Sequence, residues 1–196
     1  MSANYRLSIL LMAAGASKRF NGIKQLAMVG DSNLLQRAIN QMAKLHCAQC
    51  VVVLGNAAAE IQKAIQLPLE MEVCLSADWH QGLGNSIANG CNLIHQEATH
   101  ILILLADQVA LTEAHYQALI TQSQRHQERI VCSAYEQRMG VPAIFPGFFL
   151  PRLRALSGDK GAKAIIENES YISVSMPEAA YDIDTQEQLT NWQQAT

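Results

Sequence analysis

The sequence has few charged residues and no excess of positive charge. Charged side chains make up 16% of its 196 residues, and the formal net charge is -3. A surface that binds nucleic acid usually shows a basic excess, whereas the Lys and Arg residues here are scattered along the chain. We therefore expect no nucleic-acid partner.

Long apolar runs are also missing. No stretch approaches the ~18 consecutive apolar residues that a membrane-spanning helix needs. The apolar run at 6–12 is short and leads into a glycine-containing loop rather than a small-residue cleavage site, so it favours a buried strand over a signal peptide. The sequence predicts a cytoplasmic protein with no membrane partner.

The cysteines do not form a disulfide framework. They are odd in number and irregularly spaced: Cys47, Cys50, Cys74, Cys91 and Cys132. Cys47 and Cys50 have the spacing of a redox or zinc motif, but no second Cys pair or His pair accompanies them. We expect reduced thiols.

The histidines show no metal-ligand spacing such as HExxH. They are His46, His80, His95, His100, His115 and His126. We expect them at the surface or at helix ends, with His80, next to Trp79, set apart as a residue near a ligand.

What the sequence does contain is an alternation of short apolar runs with helical patterns. Candidate strands lie at 6–12, 50–54, 71–75, 100–106, 129–135, 142–145 and 171–175. Candidate helices lie at about 32–45, 57–66, 84–97, 113–127, 159–168 and 185–194. Near-continuous apolar strands separated by helices predict an α/β fold whose mostly parallel sheet is covered on both faces. No linker or repeat interrupts the pattern, which favours a single domain over 1–196.

The loop after the first strand is rich in small residues and carries two cations. Ala13, Ala14, Gly15, Ala16 and Ser17 would let backbone N–H groups approach a phosphate, and Arg19 and Lys24 could neutralise its oxygens. The loop matches neither the Walker A pattern nor the GxGxxG fingerprint. By itself it could equally be an ordinary turn with solvated charges.

Three aspartates are candidate metal ligands. Asp107 ends the most apolar strand and should lie at the carboxyl edge of the sheet, where a hard oxygen ligand suits Mg²⁺. Asp182 and Asp184 alternate along an extended segment, and either could complete the site. The alternatives are a turn or helix cap at Asp107 and a helix cap at Thr185 supported by Asp184.

Two further segments open candidate helices. Gly84 and Ser86 could present N–H groups and a hydroxyl to a nucleotide, with Asp78 just before them, or this segment could be a plain helix start capped by Asn85 or Ser86. Asp159 and Lys160 stand in a similar segment further along the chain, where the alternative is again capping, by Ser157 or Asp159.

Taken together, these motifs resemble a known family. MAAGASKRFNGIKQL resembles the signature loop of GT-A type nucleotidyltransferases, specifically the molybdenum cofactor cytidylyltransferases. DWHQGLGNSIANG, LLADQ, GVPAIF, LSGDKGAKAII and DIDTQEQL then follow in the family's order along almost the whole chain.

The resemblance implies a Rossmann-like, three-layer αβα fold that transfers CMP from CTP to the terminal phosphate of the molybdenum cofactor. It implies that Arg19, Lys24 and Asp107 are catalytic and that the metal is Mg²⁺, with Mn²⁺ left open. The metal ligands would be Asp107 and Asp184. The implied nucleotide contacts are Ala13, Ala14, Gly15, Ala16, Ser17, Arg19, Lys24, Asp78, Gly84 and Ser86. The implied acceptor contacts are Gly140, Pro142, Asp159 and Lys160.

Two residues depart from the family pattern. Val109 replaces the usual Pro after LADQ, which alters loop stiffness. Val141 stands where the family usually has His, and this removes two hydrogen-bonding nitrogens from the expected acceptor pocket. A guanylyltransferase, a sugar-phosphate nucleotidyltransferase and a non-catalytic cofactor carrier remain alternatives, and a transient contact with a molybdoenzyme or its chaperone stays open.

Overall fold

The computed structural model describes residues 5–195. Within this range the strands are β1 (Leu7–Ala13), β2 (Met28–Val29), β3 (Ser32–Asn33), β4 (Gln49–Leu54), β5 (Met71–Leu75), β6 (His100–Leu105), β7 (Ile130–Tyr135), β8 (Arg138–Pro146) and β9 (Tyr171–Ser175). The α-helices are α1 (Leu34–Met42), α2 (Ala58–Ala64), α3 (Leu83–Leu93), α4 (Glu113–Arg125), α5 (Leu150–Arg154), α6 (Lys163–Ile166) and α7 (Gln186–Ala195).

Seven strands form one sheet in the order β5-β4-β1-β6-β8-β7-β9, and β2 pairs with β3 in a small ribbon. The pairs β1–β4, β1–β6, β4–β5 and β7–β9 are parallel, whereas β8 runs antiparallel to both of its neighbours. The predicted mostly parallel sheet is confirmed. Because β1 lies between β4 and β6, the chain order reverses direction at β1.

Helices cover both faces of the sheet. On β1, Ile9 and Leu11 join the core that contains α1, α2 and α4, whereas Leu10 and Met12 join the core that contains α3, α5 and α6. Alternate side chains of a strand point to opposite faces, so one buried strand supplies both cores. The predicted three-layer α/β architecture is confirmed.

Some predicted element bounds were wrong. The helix expected at 159–168 is reduced to α6, because the segment before it packs as a turn against the start of α3, where the Gly84 N–H donates to the Gly158 carbonyl over 2.8 Å. The strand expected at 142–145 is the longer β8, which forms a hairpin with β7. The β2–β3 ribbon was not predicted, since two-residue strands leave no periodic pattern.

The expectation for the histidines fails at His100, which is 3% exposed at the start of β6. Its ring stacks on Tyr5 at 4.2 Å between centroids, and its Nε2 lies 3.1 Å from the Gln127 carbonyl. Apolar burial together with a carbonyl partner accommodates a neutral imidazole in the core. The five cysteines are free thiols, as expected, and no described helix is long and apolar enough to cross a membrane.

Candidate active site

A cleft of about 500 Å³ opens where β1 and β6 end. Ligands of open α/β sheets bind beyond the carboxyl ends of the strands, at the point where the strand order reverses. The cleft occupies that point, because β1 and β6 are the neighbours on either side of the reversal. Its wall combines the loop after β1, the start of α3, the end of β6 and two acidic residues from later in the chain.

Most of the predicted nucleotide contacts line this cleft. They are Ala13, Ala14, Gly15, Ala16, Ser17, Arg19, Lys24 and Ser86. Trp79 and His80 line it too, in agreement with the place given to His80. The loop after β1 turns sharply at Ser17, whose φ is 52° and whose buried Oγ has no hydrogen-bond partner within residues 5–195.

Lys24 joins two carboxylates at the base of the cleft. Its Nζ donates to Asp107 Oδ2 over 2.5 Å and to Asp184 Oδ1 over 2.9 Å, and the residue is 9% exposed. Arg19 Nη2 donates to the other oxygen of Asp184 over 2.7 Å. Arg19 and Lys24, both predicted to be catalytic, therefore bond to Asp184, and Lys24 links Asp184 to Asp107, the third predicted catalytic residue.

The protonation states follow from these contacts. Burial favours the neutral amine of Lys24, but the opposing attraction of Asp107 and Asp184 raises its pKa above the ordinary value. Burial also acts against ionised Asp184, yet its bonds to Lys24 and Arg19 lower its pKa. Lys24 and Asp184 thus stay charged at neutral pH.

Asp182 and Asp184 have different surroundings. Thr185 caps α7, since its Oγ1 accepts from Gln188 N–H, and this leaves the Asp184 carboxylate free for the cations. Asp182 is outside the cleft lining, and its Oδ1 is buried without a hydrogen bond in the described part of the chain. Burial and the nearby Asp107 raise the pKa of Asp182 to about 6.

The donor set suits a divalent cation of the Mg²⁺ type. Asp107 and Asp184 both contact Lys24 Nζ, and the buried Oδ1 of Asp107 has no partner among the described residues. Residues 5–195 contain no group of three or more metal-ligating side chains. Mg²⁺ is typically held by one or two carboxylates and completes its shell with substrate phosphates and water.

Two predicted nucleotide contacts, Asp78 and Gly84, are not in the lining of the cleft. Asp78 accepts from Asn85 over 3.0 Å and also from Asn89, and these bonds lower its pKa. Gly84 packs so tightly that an added Cβ would lie 2.8 Å from the carbonyl oxygens of Ser157 and Lys160. Both residues therefore support the start of α3 in this structure, and their contact with a nucleotide stays a prediction.

The predicted acceptor contacts are divided. Asp159 lines the cleft. Lys160 is exposed and outside the lining, while Gly140 lies under the Tyr135 hydroxyl and Pro142 is buried. Gly140, Pro142 and Lys160 therefore lie outside the lining of this cleft, and their contact with the acceptor stays a prediction.

Sequence reasoning missed two buried glutamines beside the cleft, Gln25 and Gln108. Gln25 Nε2 donates to the carbonyls of Ala13 and Gly15 over 2.8 and 2.9 Å. Gln108 Nε2 donates to the carbonyls of Val141 and Ala179 over 3.1 and 2.8 Å. Gln25 directly follows Lys24, and Gln108 directly follows Asp107, so adjacency to the charged residues was the available signal.

Comparison with known proteins identifies the family of this chain. The family model described as the MobA-like NTP transferase domain matches residues 9–174. The purine catabolism protein PucB of Bacillus subtilis is 25% identical over 202 residues, which cover 96% of each chain.

Two solved structures share the fold. The manganese complex of Rv0371c from Mycobacterium tuberculosis H37Rv superposes with a TM-score of 0.81 at 22% identity, covering 97% of this chain and 100% of that one. The molybdopterin-guanine dinucleotide biosynthesis protein A of Archaeoglobus fulgidus superposes with a TM-score of 0.74 at 11% identity, covering 96% and 97%.

Proposed function

The chain belongs to the MobA-like NTP transferase domain family and is a nucleotidyltransferase, and from this premise we propose that it transfers CMP from CTP to the terminal phosphate of the molybdenum cofactor. The observation that carries the proposal is the contact of Lys24 with both Asp107 and Asp184 beneath the loop after β1. This arrangement brings cations, carboxylates and loop backbone to one side of a cleft large enough for a nucleotide.

In the proposed reaction an oxygen of the acceptor phosphate attacks the α-phosphorus of CTP. The new P–O bond forms as the bond between the α-phosphorus and the bridging oxygen breaks, and pyrophosphate leaves with that electron pair. The acceptor oxygen is already ionised at neutral pH, so no strong general base is needed. Holding the two substrates in line accounts for ~7–11 kcal/mol of barrier reduction in well-oriented reactions.

The residues of the cleft have distinct parts in this reaction. The loop after β1 holds the triphosphate through its N–H groups, and Lys24 and Arg19 neutralise charge on the phosphate oxygens. Asp107 and Asp184 would hold Mg²⁺ or Mn²⁺, which would supply further neutralisation of the phosphate oxygens. The manganese bound in the Rv0371c complex supports divalent-metal use in this fold.

The acceptor and the base rest on separate support. The Archaeoglobus fulgidus protein is named for molybdopterin-guanine dinucleotide biosynthesis, which supports molybdopterin as the acceptor. For the base, Ala14 and the LADQ string resemble the cytidylyl branch, since guanylyl relatives tend to have a second glycine in the loop.

The test is to incubate the protein with Mg²⁺, the molybdenum cofactor and CTP, GTP, ATP or UTP in turn, and to measure pyrophosphate release. We expect CTP to react at least roughly 10-fold faster than the others, the low end of discrimination between similar ligands. Equal rates would contradict the cytidylyl assignment. Release that requires a sugar phosphate instead would contradict the acceptor, and cofactor binding without pyrophosphate from any nucleotide would favour a carrier.

A further inference from the structure

The carbonyl groups at the start of the loop after β1 are all bonded. Gln25 Nε2 donates to the carbonyls of Ala13 and Gly15, and the Asn56 N–H donates to the Ala14 carbonyl over 3.0 Å. These three consecutive carbonyls are therefore held by protein donors at the edge of the cleft. A carbonyl oxygen turned into the cleft would instead repel phosphate oxygens.

In contrast to these carbonyls, the backbone N–H groups that follow are not hydrogen-bonded to any described residue. Within residues 5–195, the backbone N–H groups of residues 15–19 have no acceptor, and the next intraloop bond runs from the Phe20 N–H to the Ser17 carbonyl. The buried Ser17 Oγ is also without a partner in that range. Residues 15–19 all line the cleft, and Gly15, Lys18 and Arg19 are exposed, so these N–H groups are open to an anion bound there.

From this separation of donors and acceptors we infer that Gln25 is the positioning residue of the triphosphate site, acting through the loop backbone without touching the substrate. The inference rests on the proposed nucleotidyl transfer and deepens its donor side. Gln25 is 5% exposed, and its amide is suited to the task because one NH₂ group carries two donors.

The turn that contains Gln25 also positions Lys24, the residue directly before it. The short turn Lys24–Leu26 is fixed by bonds from the Leu26 N–H to the Ile23 carbonyl and from the Ala27 N–H to the Lys24 carbonyl, both 3.0 Å. This single turn directs the Lys24 ammonium to the two carboxylates and the Gln25 amide to the loop. The cation and the N–H groups that would meet one triphosphate are thereby held in fixed relative positions.

The test compares Gln25→Met and Gln25→Glu with wild type, using magnesium tripolyphosphate as a ligand that has no base. Met keeps the length of the side chain but donates nothing, and ionised Glu places negative charge against both carbonyls. We expect the Kd for tripolyphosphate to rise by roughly 10-fold in Gln25→Met and further in Gln25→Glu, since lost bonds of this kind are worth about a factor of ten each. The KM for CTP should rise in parallel, with kcat changed much less.

Gln49→Met is the matched control. Gln49 is 4% exposed at the start of β4, away from the cleft, and its Nε2 donates to Glu72 and to the Leu93 carbonyl. Both Met variants should lose similar stability, measured by chemical unfolding, but Gln49→Met should keep the wild-type Kd within about two-fold, as expected for a distant site. Wild-type affinity in Gln25→Met would overturn the inference and leave the proposed transfer untouched.

A measurement on the wild-type protein covers the case in which the variants do not fold. Amide exchange followed by NMR should show residues 15–19 becoming protected when magnesium tripolyphosphate is added, and unchanged exchange there would overturn the inference. If tripolyphosphate binding depends on Gln25 while CTP and the cofactor give no product, the positioning role stands and the proposed acceptor or base fails. No tripolyphosphate binding by the wild type would overturn both.

Discussion

One buried glutamine holds the loop that lines the cleft, and a second holds the segments next to Asp184, but they do so in different ways. Gln25 bonds two carbonyls within a single loop, whereas Gln108 bonds carbonyls on β8 and on the turn at 177–180, far apart in the sequence. We call these segments the loop wall (13–25) and the far wall (β8 with 177–184); of the far wall, only Asp184 lines the cleft itself. The loop wall is built by local contacts, and the far wall is assembled from distant segments.

Their chemistry differs as well. The loop wall presents the cations Arg19 and Lys24 and a run of N–H groups that have no acceptor within residues 5–195. In the far wall, the carboxylate of Asp184 lines the cleft, whereas Asp182 lies outside the lining with its Oδ1 buried. Lys24 bonds to Asp184, so the ion pair is the point where the two walls meet. Substitutions at this ion pair should lower the rate of transfer most, and substitutions within one wall should weaken the binding of one substrate only.

Asp107→Asn should have the largest effect, because it removes charge at the junction of both walls. Asp107 accepts from Lys24 Nζ over 2.5 Å, and in the proposed function it is one of the two carboxylates that would hold the metal. We expect kcat to fall by about 10²–10³, the size found when one electrostatic group is removed from an active site, as measured by pyrophosphate release. Asp31→Asn, at an exposed turn, is the control; a similar loss there, or a less than tenfold loss at Asp107, would contradict this ranking.

Lys24→Met should separate metal binding from catalysis. In the free protein the Lys24 ammonium already pairs with one oxygen of Asp107 and one of Asp184. A metal ion that binds without nucleotide must therefore compete with Lys24 for these carboxylates. Removing the ammonium should strengthen binding of Mn²⁺ without nucleotide by about tenfold, equivalent to ~1.4 kcal/mol, while pyrophosphate release falls. Electron paramagnetic resonance of free Mn²⁺ measures the first effect. Weaker Mn²⁺ binding in the variant would show that Lys24 does not compete for this position.

Gln108→Met tests the far wall alone. It leaves the carbonyls of Val141 and Ala179 without their buried donor, a change that costs about 1–3 kcal/mol in similar cases. We expect the KM for the acceptor to rise by roughly tenfold and the Kd for CTP to stay near the wild-type value, the reverse of Gln25→Met. Steady-state kinetics with each substrate varied in turn provides the measurement. A rise in both constants would mean that the two walls are not independent.

The same contrast explains what sequence could predict. The alternating apolar runs predicted the layers and the mostly parallel sheet, because strand and helix periodicity is a property of residues close together in the sequence. The loop wall was predicted for the same reason, since its motif is one continuous segment. That Gly140 and Pro142 lie outside the cleft lining could not be predicted, because it depends on the β7–β8 hairpin and on Gly140 packing under Tyr135. Gln25 and Gln108 were not assigned, since their partners are backbone carbonyls that carry no side-chain signature, and adjacency to Lys24 and Asp107 was the one signal that marked them.

The smallest effect is expected at the opposite end of the sheet, at His100, which should change stability without changing either wall. Burial lowers the pKa of His100, so the imidazole is neutral in the folded protein. Nε2 donates to the Gln127 carbonyl in the neutral ring, and Nδ1 lies 3.0 Å from the Thr99 hydroxyl, which itself donates to the Arg6 carbonyl. The depressed pKa means that the unfolded chain binds the proton more readily.

The contribution of His100 is therefore complete above the unfolded pKa of about 6.5 and is lost as the pH falls toward the folded value. Between pH 7.5 and 5.5 the wild type should lose a small part of a total stability of ~5–15 kcal/mol, and His100→Gln should lose less. Urea unfolding at both pH values measures this, with exposed His95→Gln as the control. Because His100 contacts neither wall, tripolyphosphate affinity should be the same in all three proteins at pH 7.5; a change in His100→Gln would show that the amino ends of the strands are coupled to the cleft.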